Sequence, residues 1–138
     1  MTRATAVFIM ALSVVLVARQ QPAQFAAAAP VFTAQQATAG KAAFAKTCAM
    51  CHMPDLSGNN EVPQLAGMNF RSTWRARTTK DLLDYMTAAM PPGGPAQTAE
   101  TYASLAAYVL QSNGAVAGPD ALGTATIVTV GALLPNAR

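Results

Sequence analysis

The chain contains the run Cys48-Ala49-Met50-Cys51-His52, in which its only two cysteines stand beside its only histidine. A C-x-x-C-H run is typical of a c-type haem attachment site. Two thiols one helical turn apart can each add to one of the two vinyl groups of haem, and the imidazole that follows can take an axial position on the iron. The run therefore predicts one haem c, attached covalently through Cys48 and Cys51, with His52 as an iron ligand.

Three other chemistries use cysteines at this spacing, and the sequence supports each of them less well. A structural zinc site needs four ligands, whereas Cys48, Cys51 and His52 supply three and no second pair occurs elsewhere. A thioredoxin-type dithiol requires a βαβ context, and no strand pattern surrounds Cys48. A disulfide between cysteines so close together would enclose too short a loop to constrain much of the chain.

The N-terminal segment has the features of a secretory signal peptide. Arg3 supplies a positive charge, residues 4–18 form an uncharged and mostly apolar run, and Ala26-Ala27-Ala28-Ala29 offers a small-residue cleavage site. We predict that residues 1–28 are the signal peptide, with cleavage after Ala28; the alternative is an uncleaved N-terminal anchor. Because haem is attached covalently outside the cytoplasm, the motif and the signal peptide together predict a periplasmic protein.

The charge of the chain is no argument for a nucleic-acid or anionic-membrane partner. The formal net charge of +3 includes Arg3 and Arg19 of the predicted signal peptide, so the mature chain is close to neutral. The charge therefore gives no reason to expect nucleic-acid binding, and we predict none. We also expect no stable membrane insertion, because the apolar segment is removed with the signal peptide. By length the mature chain, about 110 residues, is one domain, which we divide into a cytochrome-sized unit, residues 29–114, and a tail, residues 115–138. The tail carries one β-leaning run, residues 126–130, and is expected to wrap irregularly over the domain.

A helix is predicted immediately before the C-x-x-C-H run. Thr33 followed by Gln36 fits a capping box, and Ala-rich sequence continues to Lys46. Gly40 in the middle of this helix costs about 1 kcal/mol relative to alanine, which indicates a packing reason. Because Gly40 and Phe44 are four residues apart, they lie on one face, where another helix could cross closely.

Two further helices are predicted, over residues 80–89 and 99–112, because apolar residues recur there at three- and four-residue spacing. Thr78 or Thr79 can cap the first of them and Thr98 the second. Prolines and glycines punctuate the segments between the helices, and no regular strand pattern occurs before the tail. The sequence therefore predicts an all-α fold.

The second axial ligand of the iron is expected to be a methionine, because the chain has no second histidine. The mature candidates are Met50, Met53, Met68, Met86 and Met90. Met50 and Met53 lie too near His52 in sequence to reach the opposite face of the ring. Met90 begins a proline-stiffened loop that can aim its thioether at iron, so we predict His52 and Met90 as the metal ligands. Met86, on a helix, and Met68 are the alternatives.

Five motifs occur in order along the chain. They are Gly40-x-x-x-Phe44-x-x-x-Cys48-x-x-Cys51-His52, Pro63-x-Leu65-x-Gly67, Trp74 ahead of Thr79-x-x-Leu82, Met90-Pro91-Pro92-Gly93, and Tyr102-x-x-Leu105-x-x-Tyr108-Val109-Leu110 ending in Asn113-Gly114. With this ordered set, residues 37–114 resemble a class I monohaem cytochrome c. They are most similar to the cytochrome c domain or subunit associated with quinoprotein (PQQ-dependent) alcohol dehydrogenases.

The resemblance implies a small cytochrome c fold, in which the N- and C-terminal helices cross around one covalently bound haem. Gly40 and Phe44 would then meet Leu105 and Tyr108. The irregular tail is not covered by the resemblance.

The resemblance also implies the surroundings of the haem. The Pro63 carbonyl would accept a hydrogen bond from Nδ1 of His52, which orients the ring toward iron. Pro63, Leu65 and Trp74 are therefore predicted to be cofactor-binding residues. Trp74 has two interpretations: it is a core aromatic residue, or its indole N–H donates to a haem propionate. The competing partners for that propionate are Tyr85, Arg71 and Arg75.

A basic cluster lies on either side of residue 75, comprising Arg71, Arg75, Arg77 and Lys80. Such a cluster is either a solvated face or a surface that steers an acidic redox partner. The sequence alone leaves both interpretations open.

These features predict a periplasmic electron-transfer protein rather than an enzyme. With a histidine and a methionine on the iron, no position is open for substrate or oxygen. The expected donor is a periplasmic dehydrogenase, quinoprotein type by resemblance, and the expected acceptor is an oxidase or another cytochrome. The protein would be a monomer or a subunit of a dehydrogenase complex. The alternatives are a haem enzyme or sensor with an open sixth site, a permanent haem subunit, and an anchored cytochrome.

Overall fold

A computed structural model describes residues 28–135. The predicted signal peptide therefore lies outside the described residues except for Ala28. Six helices occur in the described part and no strand does. They are α1 (Ala34–Thr47), α2 (Ala49–His52), α3 (Met68–Trp74), α4 (Thr79–Ala89), α5 (Ala99–Ser112) and α6 (Val130–Leu133). The prediction of an all-α fold is confirmed for this part of the chain.

The first helix and the last long helix cross closely, and Gly40 makes the crossing possible. The capping box of Thr33 with Gln36 starts α1, as predicted. A Cβ on Gly40 would lie 1.8 Å from the carbonyl oxygen of Ser104 in α5. Beside this contact, the rings of Phe44 and Tyr108 pack with centroids 5.4 Å apart. The backbones of α1 and α5 therefore approach to a distance that only glycine permits.

Two further helices, α3 and α4, contribute buried side chains to the core. Thr78 caps α4: its hydroxyl accepts from Asp81 N–H, and the Asp81 carboxylate accepts from Thr78 N–H at 2.8 Å. Hydrogen bonds from the Thr78 N–H and hydroxyl hold the pKa of Asp81 below its ordinary value. The helix buries Leu82 and Leu83, and α3 buries Phe70 and Trp74.

The tail does not form the short strand that its composition favours. The described residues show one isolated antiparallel bridge, between Thr78 and Thr129, and Val130 then begins the one-turn helix α6. A strand needs a neighbouring strand to bond to its N–H and C=O groups. Here the tail crosses the N-terminus of α4, which offers only a few free backbone groups.

Besides backbone hydrogen bonds, three side chains of the helices bond to the tail. The Gln36 side chain bonds both the N–H and the carbonyl of Leu122, each at 2.8 Å. The Thr79 hydroxyl, fully buried, donates to Thr126 O at 2.6 Å and accepts from Val128 N–H at 3.2 Å. Arg71 donates to Pro135 O at 3.1 Å. No helix within residues 28–135 has the length and apolar character needed to cross a membrane.

Candidate haem site

A cavity of about 500 Å³ lies between the helices, within the range of small-molecule and cofactor sites. Its lining is mostly apolar and aromatic. It includes every residue that the sequence proposes for haem binding: Cys48, Cys51, His52, Pro63, Leu65, Trp74 and Met90. Side chains from α1, α3, α4 and α5 complete the walls, among them Phe44, Phe70, Leu82, Tyr102, Leu105 and Val109. The fold thus gathers residues far apart in sequence around one enclosure.

The two cysteines reach this cavity because a second helix begins as the first one ends. Cys48 is the C-cap of α1 and the N-cap of the one-turn helix α2. Cys51 N–H and His52 N–H both bond to the Cys48 carbonyl, at 3.1 and 2.9 Å. Both cysteines are free thiols, Cys48 half-buried and Cys51 exposed. The run therefore presents two thiols and an imidazole to one space.

His52 is held in a defined orientation and tautomer. Its side chain is 8% exposed, and Nδ1 lies 3.0 Å from the carbonyl oxygen of Pro63. A carbonyl can only accept, so Nδ1 carries the proton and the neutral ring has its lone pair on Nε2. This is the state in which an imidazole binds a metal.

The loop that carries Pro63 is fixed to α5 by Asn113, which stands at the end of the last of the five sequence motifs. Asn113 is 2% exposed. Its side chain accepts from Gly67 N–H and donates to Leu65 O, each at 2.9 Å. The backbone carbonyl of Asn113 accepts a hydrogen bond from the Arg71 guanidinium at 2.8 Å. The Asn113-Gly114 pair marked the end of a helix, but no local pattern could indicate which distant loop its side chain would bind.

The structure separates the candidate methionines. Met50 is 90% and Met68 79% exposed, and neither lines the cavity; Met53 is exposed as well. Met68, one of the alternative ligands, therefore lies outside the cavity. Met86 and Met90 both line the cavity, and Met86 also packs against the hydrophobic core.

Trp74 lines the cavity and is almost fully buried. Only one of the three residues named as competitors for a haem propionate also lines this cavity. Of the competitors named for a propionate, Tyr85 lines the cavity and packs edge-on against Trp74 at 5.5 Å. Arg71 and Arg75 do not line it. Instead Arg77, which was not proposed for this role, lines the cavity with its guanidinium 5.0 Å from the Trp74 ring centre. Arg71 is engaged with Asn113 and the tail, which explains its absence from the cavity.

The donor set fits a covalently attached haem better than a metal ion alone. Within residues 28–135, no group of three or more His, Cys, Asp or Glu side chains is arranged to hold a metal ion. The C-x-x-C-H run supplies three of the four ligands that a structural zinc site needs. An apolar enclosure with two free thiols and a single oriented imidazole suits a large apolar cofactor that brings its own iron.

Comparison with known families agrees with this chemistry. Residues 35–109, more than half of the chain, match the family model described as "Cytochrome C oxidase, cbb3-type, subunit III". The chain belongs to this family, and its fold is that of a class I cytochrome c. Neither curated proteins nor solved structures give a match. Membership implies a haem c and a role in electron transfer; an association with alcohol dehydrogenases is not confirmed.

Proposed function

We propose that this chain is a periplasmic monohaem cytochrome c that carries single electrons between proteins, with His52 and Met90 as the two axial ligands of its iron. The observation that carries the proposal is the common cavity. It joins both thiols of the C-x-x-C-H run, an imidazole with a free Nε2, and a methionine from a distant loop, in walls that are otherwise mostly apolar.

Each element of the chain has a defined task in this proposal. The haem supplies an iron that stores and releases one electron. Cys48 and Cys51 fasten it to the end of α1, and the Pro63 carbonyl keeps Nε2 of His52 available for iron. The apolar walls would limit water around the iron of a bound haem, and together with His/Met ligation this would favour the reduced state. Because Cys51 both lines the cavity and is exposed, we propose that electrons pass at this edge.

The choice of Met90 over Met86 rests on what each residue already contacts. Met86 lies within α4 and packs against the core. Met90 is the C-cap of α4 with an extended backbone, and it lines the cavity without belonging to the core cluster. A thioether at the end of a helix can be directed at iron without removing a core contact.

For the partners, we propose a periplasmic dehydrogenase as the donor and an oxidase or another cytochrome as the acceptor. The quinoprotein type of donor rests on the sequence resemblance alone. The family description names an oxidase subunit, which supports a permanent subunit as the second candidate. Co-purification of the exported protein with a large redox subunit at high salt would favour the subunit, whereas its elution alone as a monomer would favour the free carrier.

Replacement of the two methionines tests the axial ligands. In the oxidised protein, Met90→Ala should abolish the weak far-red sulfur-to-iron charge-transfer band, and the reduced variant should bind carbon monoxide. Met86→Ala, a matched control from the same cavity wall, should retain the band and remain closed to carbon monoxide. Loss of the band in Met86→Ala alone would identify Met86, rather than Met90, as the second axial ligand. A wild-type protein that lacks the band would contradict thioether ligation altogether.

A further inference from the structure

The loop that follows Met90 has few hydrogen bonds of its own. Three of the first five residues after Met90 are prolines, which have no N–H to donate: Pro91, Pro92 and Pro95. Within the loop, Gly94 N–H donates to Pro91 O at 3.1 Å, and the Gln97 side chain donates to Pro95 O at 3.1 Å. Residues 92–96 are exposed. The stiffness of the prolines limits the shapes of this loop, but these contacts do not fix it to the rest of the domain.

One hydroxyl group makes that attachment. Tyr102, near the start of α5, donates to the Met90 carbonyl oxygen at 2.5 Å and accepts from Gln97 N–H at 3.2 Å. Its ring is 2% exposed and lines the cavity. Among the described residues, these two bonds are the only ones that join the segment from the Met90 carbonyl to Gln97 N–H with the helical body. The hydroxyl thus closes both ends of the loop at one point.

We propose that Tyr102 is a positioning residue that keeps the Met90 thioether on the iron by holding the Met90 carbonyl. This inference rests on the proposed function, because it requires Met90 to be the axial ligand. The carbonyl and the thioether belong to the same residue, so a bond to the carbonyl restricts the movements that would withdraw the sulfur. A second bond at Gln97 stops the exposed loop from swinging outward as a unit.

The role differs from ordinary core packing. The buried Tyr102 ring would pack equally well without its oxygen, so the hydroxyl is needed only for the two loop contacts. When it is lost, the Met90 carbonyl and the Gln97 N–H can regain hydrogen bonds only by reaching water. The loop would therefore open more often, and an external ligand would compete more successfully for the iron.

The test compares Tyr102→Phe with Tyr108→Phe in the haem-loaded protein. Tyr108 is on the same helix but does not line the cavity, and no hydrogen bond of its hydroxyl occurs among residues 28–135. Titration of the oxidised proteins with imidazole, followed by the loss of the far-red band, measures displacement of the methionine. We expect Tyr102→Phe to bind imidazole about tenfold more tightly than wild type, equivalent to 1.4 kcal/mol. Tyr108→Phe should match wild type.

Thermal unfolding of the same variants separates positioning from general stability. If Tyr102→Phe unfolds at a lower temperature but binds imidazole as wild type does, the hydroxyl has a structural role only and the inference is overturned. The same holds if Tyr108→Phe gains as much imidazole affinity as Tyr102→Phe. If wild type has no far-red band, or Met90→Ala retains it, the proposed ligation fails independently of Tyr102.

Discussion

At the scale of single residues, both proposed iron ligands are fixed through a hydrogen bond to a backbone carbonyl, but in opposite ways. His52 donates from its ring to the carbonyl of Pro63. Met90 leaves its side chain free and is held by its own carbonyl through Tyr102. The first bond sets a tautomer, whereas the second sets the path of a loop. This difference follows from the chemistry of the ligands, since a thioether has no N–H through which it could be oriented.

The contact of His52 with Pro63 was anticipated from the family motif, but the contact of Met90 with Tyr102 was not. Periodicity in residues 99–112 shows that Tyr102 faces the core, and it gives no information about its hydroxyl. A hydrogen bond between a helix and a loop twelve residues away depends on how the loop returns to the helix. That path is a tertiary property, so the sequence could predict the burial of Tyr102 and not its partner.

The charge of Arg77 provides a prediction for a single residue at the cavity. Its guanidinium packs over Trp74 and lines the cavity proposed for haem. Arg77 makes no salt bridge, since the only one in the described part of the chain joins Lys80 and Asp84. A positive charge beside the site disfavours the more positive, oxidised iron. Arg77→Gln should therefore lower the reduction potential by some tens of millivolts in a spectroelectrochemical titration at low salt.

Arg75→Gln is the matched control, because Arg75 belongs to the same basic cluster but does not line the cavity. Its potential should stay close to that of wild type. Equal shifts of the reduction potential in both variants would show that the whole basic cluster acts through long-range charge. An unchanged potential in Arg77→Gln would show that the Arg77 charge does not act on the haem iron.

At the scale of helices, the elements that the sequence predicted accurately are those with local start and stop signals. The last long helix has the predicted bounds, 99–112, with Thr98 as its cap. Capping is an interaction between residues three positions apart, so it can be read directly from sequence. The seven-residue helix α3 begins after Gly67 with no side-chain cap, and α6 also lacks one. Neither was predicted, because packing rather than a local signal stabilises them.

Gly40→Ala tests the helix crossing. Alanine has the higher helix propensity, by about 1 kcal/mol, but its Cβ would overlap the Ser104 carbonyl oxygen and lie 2.9 Å from Tyr108 Cβ. Overpacking of this kind costs about 1–3 kcal/mol or more, so we expect a net loss in the free energy of unfolding by urea. Gly123→Ala, where a Cβ would meet nothing within 4 Å, should be nearly neutral. A Gly40→Ala protein as stable as wild type would show that the helices do not cross as described.

At the scale of the whole molecule, the tail and the cavity are separate parts of the structure. No residue after Val109 lines the cavity, whereas the tail buries Leu122, Val130 and Leu134. The tail is bonded to the start of α1 through Gln36 and to the start of α4 through Thr79. Its attachment through Gln36 spans 86 residues of sequence, which explains why composition could suggest a wrapping tail but could not locate its contacts.

Thr79→Val tests the attachment of the tail at its most buried polar contact. Valine keeps the shape of the side chain but loses the bonds to Thr126 O and Val128 N–H. We expect the free energy of unfolding to fall by about 1–3 kcal/mol and the Val128 amide to exchange faster with solvent. The visible spectrum should not change, because Thr79 does not line the cavity. Thr79→Ser should retain most of the stability, and a Thr79→Val protein as stable as wild type would show that this hydroxyl does not hold the tail.

Intact-protein mass spectrometry provides the decisive measurement for the whole molecule. The protein should be produced with its N-terminal segment, in a host that attaches haem to exported polypeptides, and denatured before analysis so that only covalent attachment survives. We predict a mass equal to that of the mature polypeptide plus one haem, reduced to the polypeptide alone when Cys48 and Cys51 are both replaced by alanine. A wild-type mass without haem, with both thiols unmodified, would contradict the assignment of this chain as a cytochrome c.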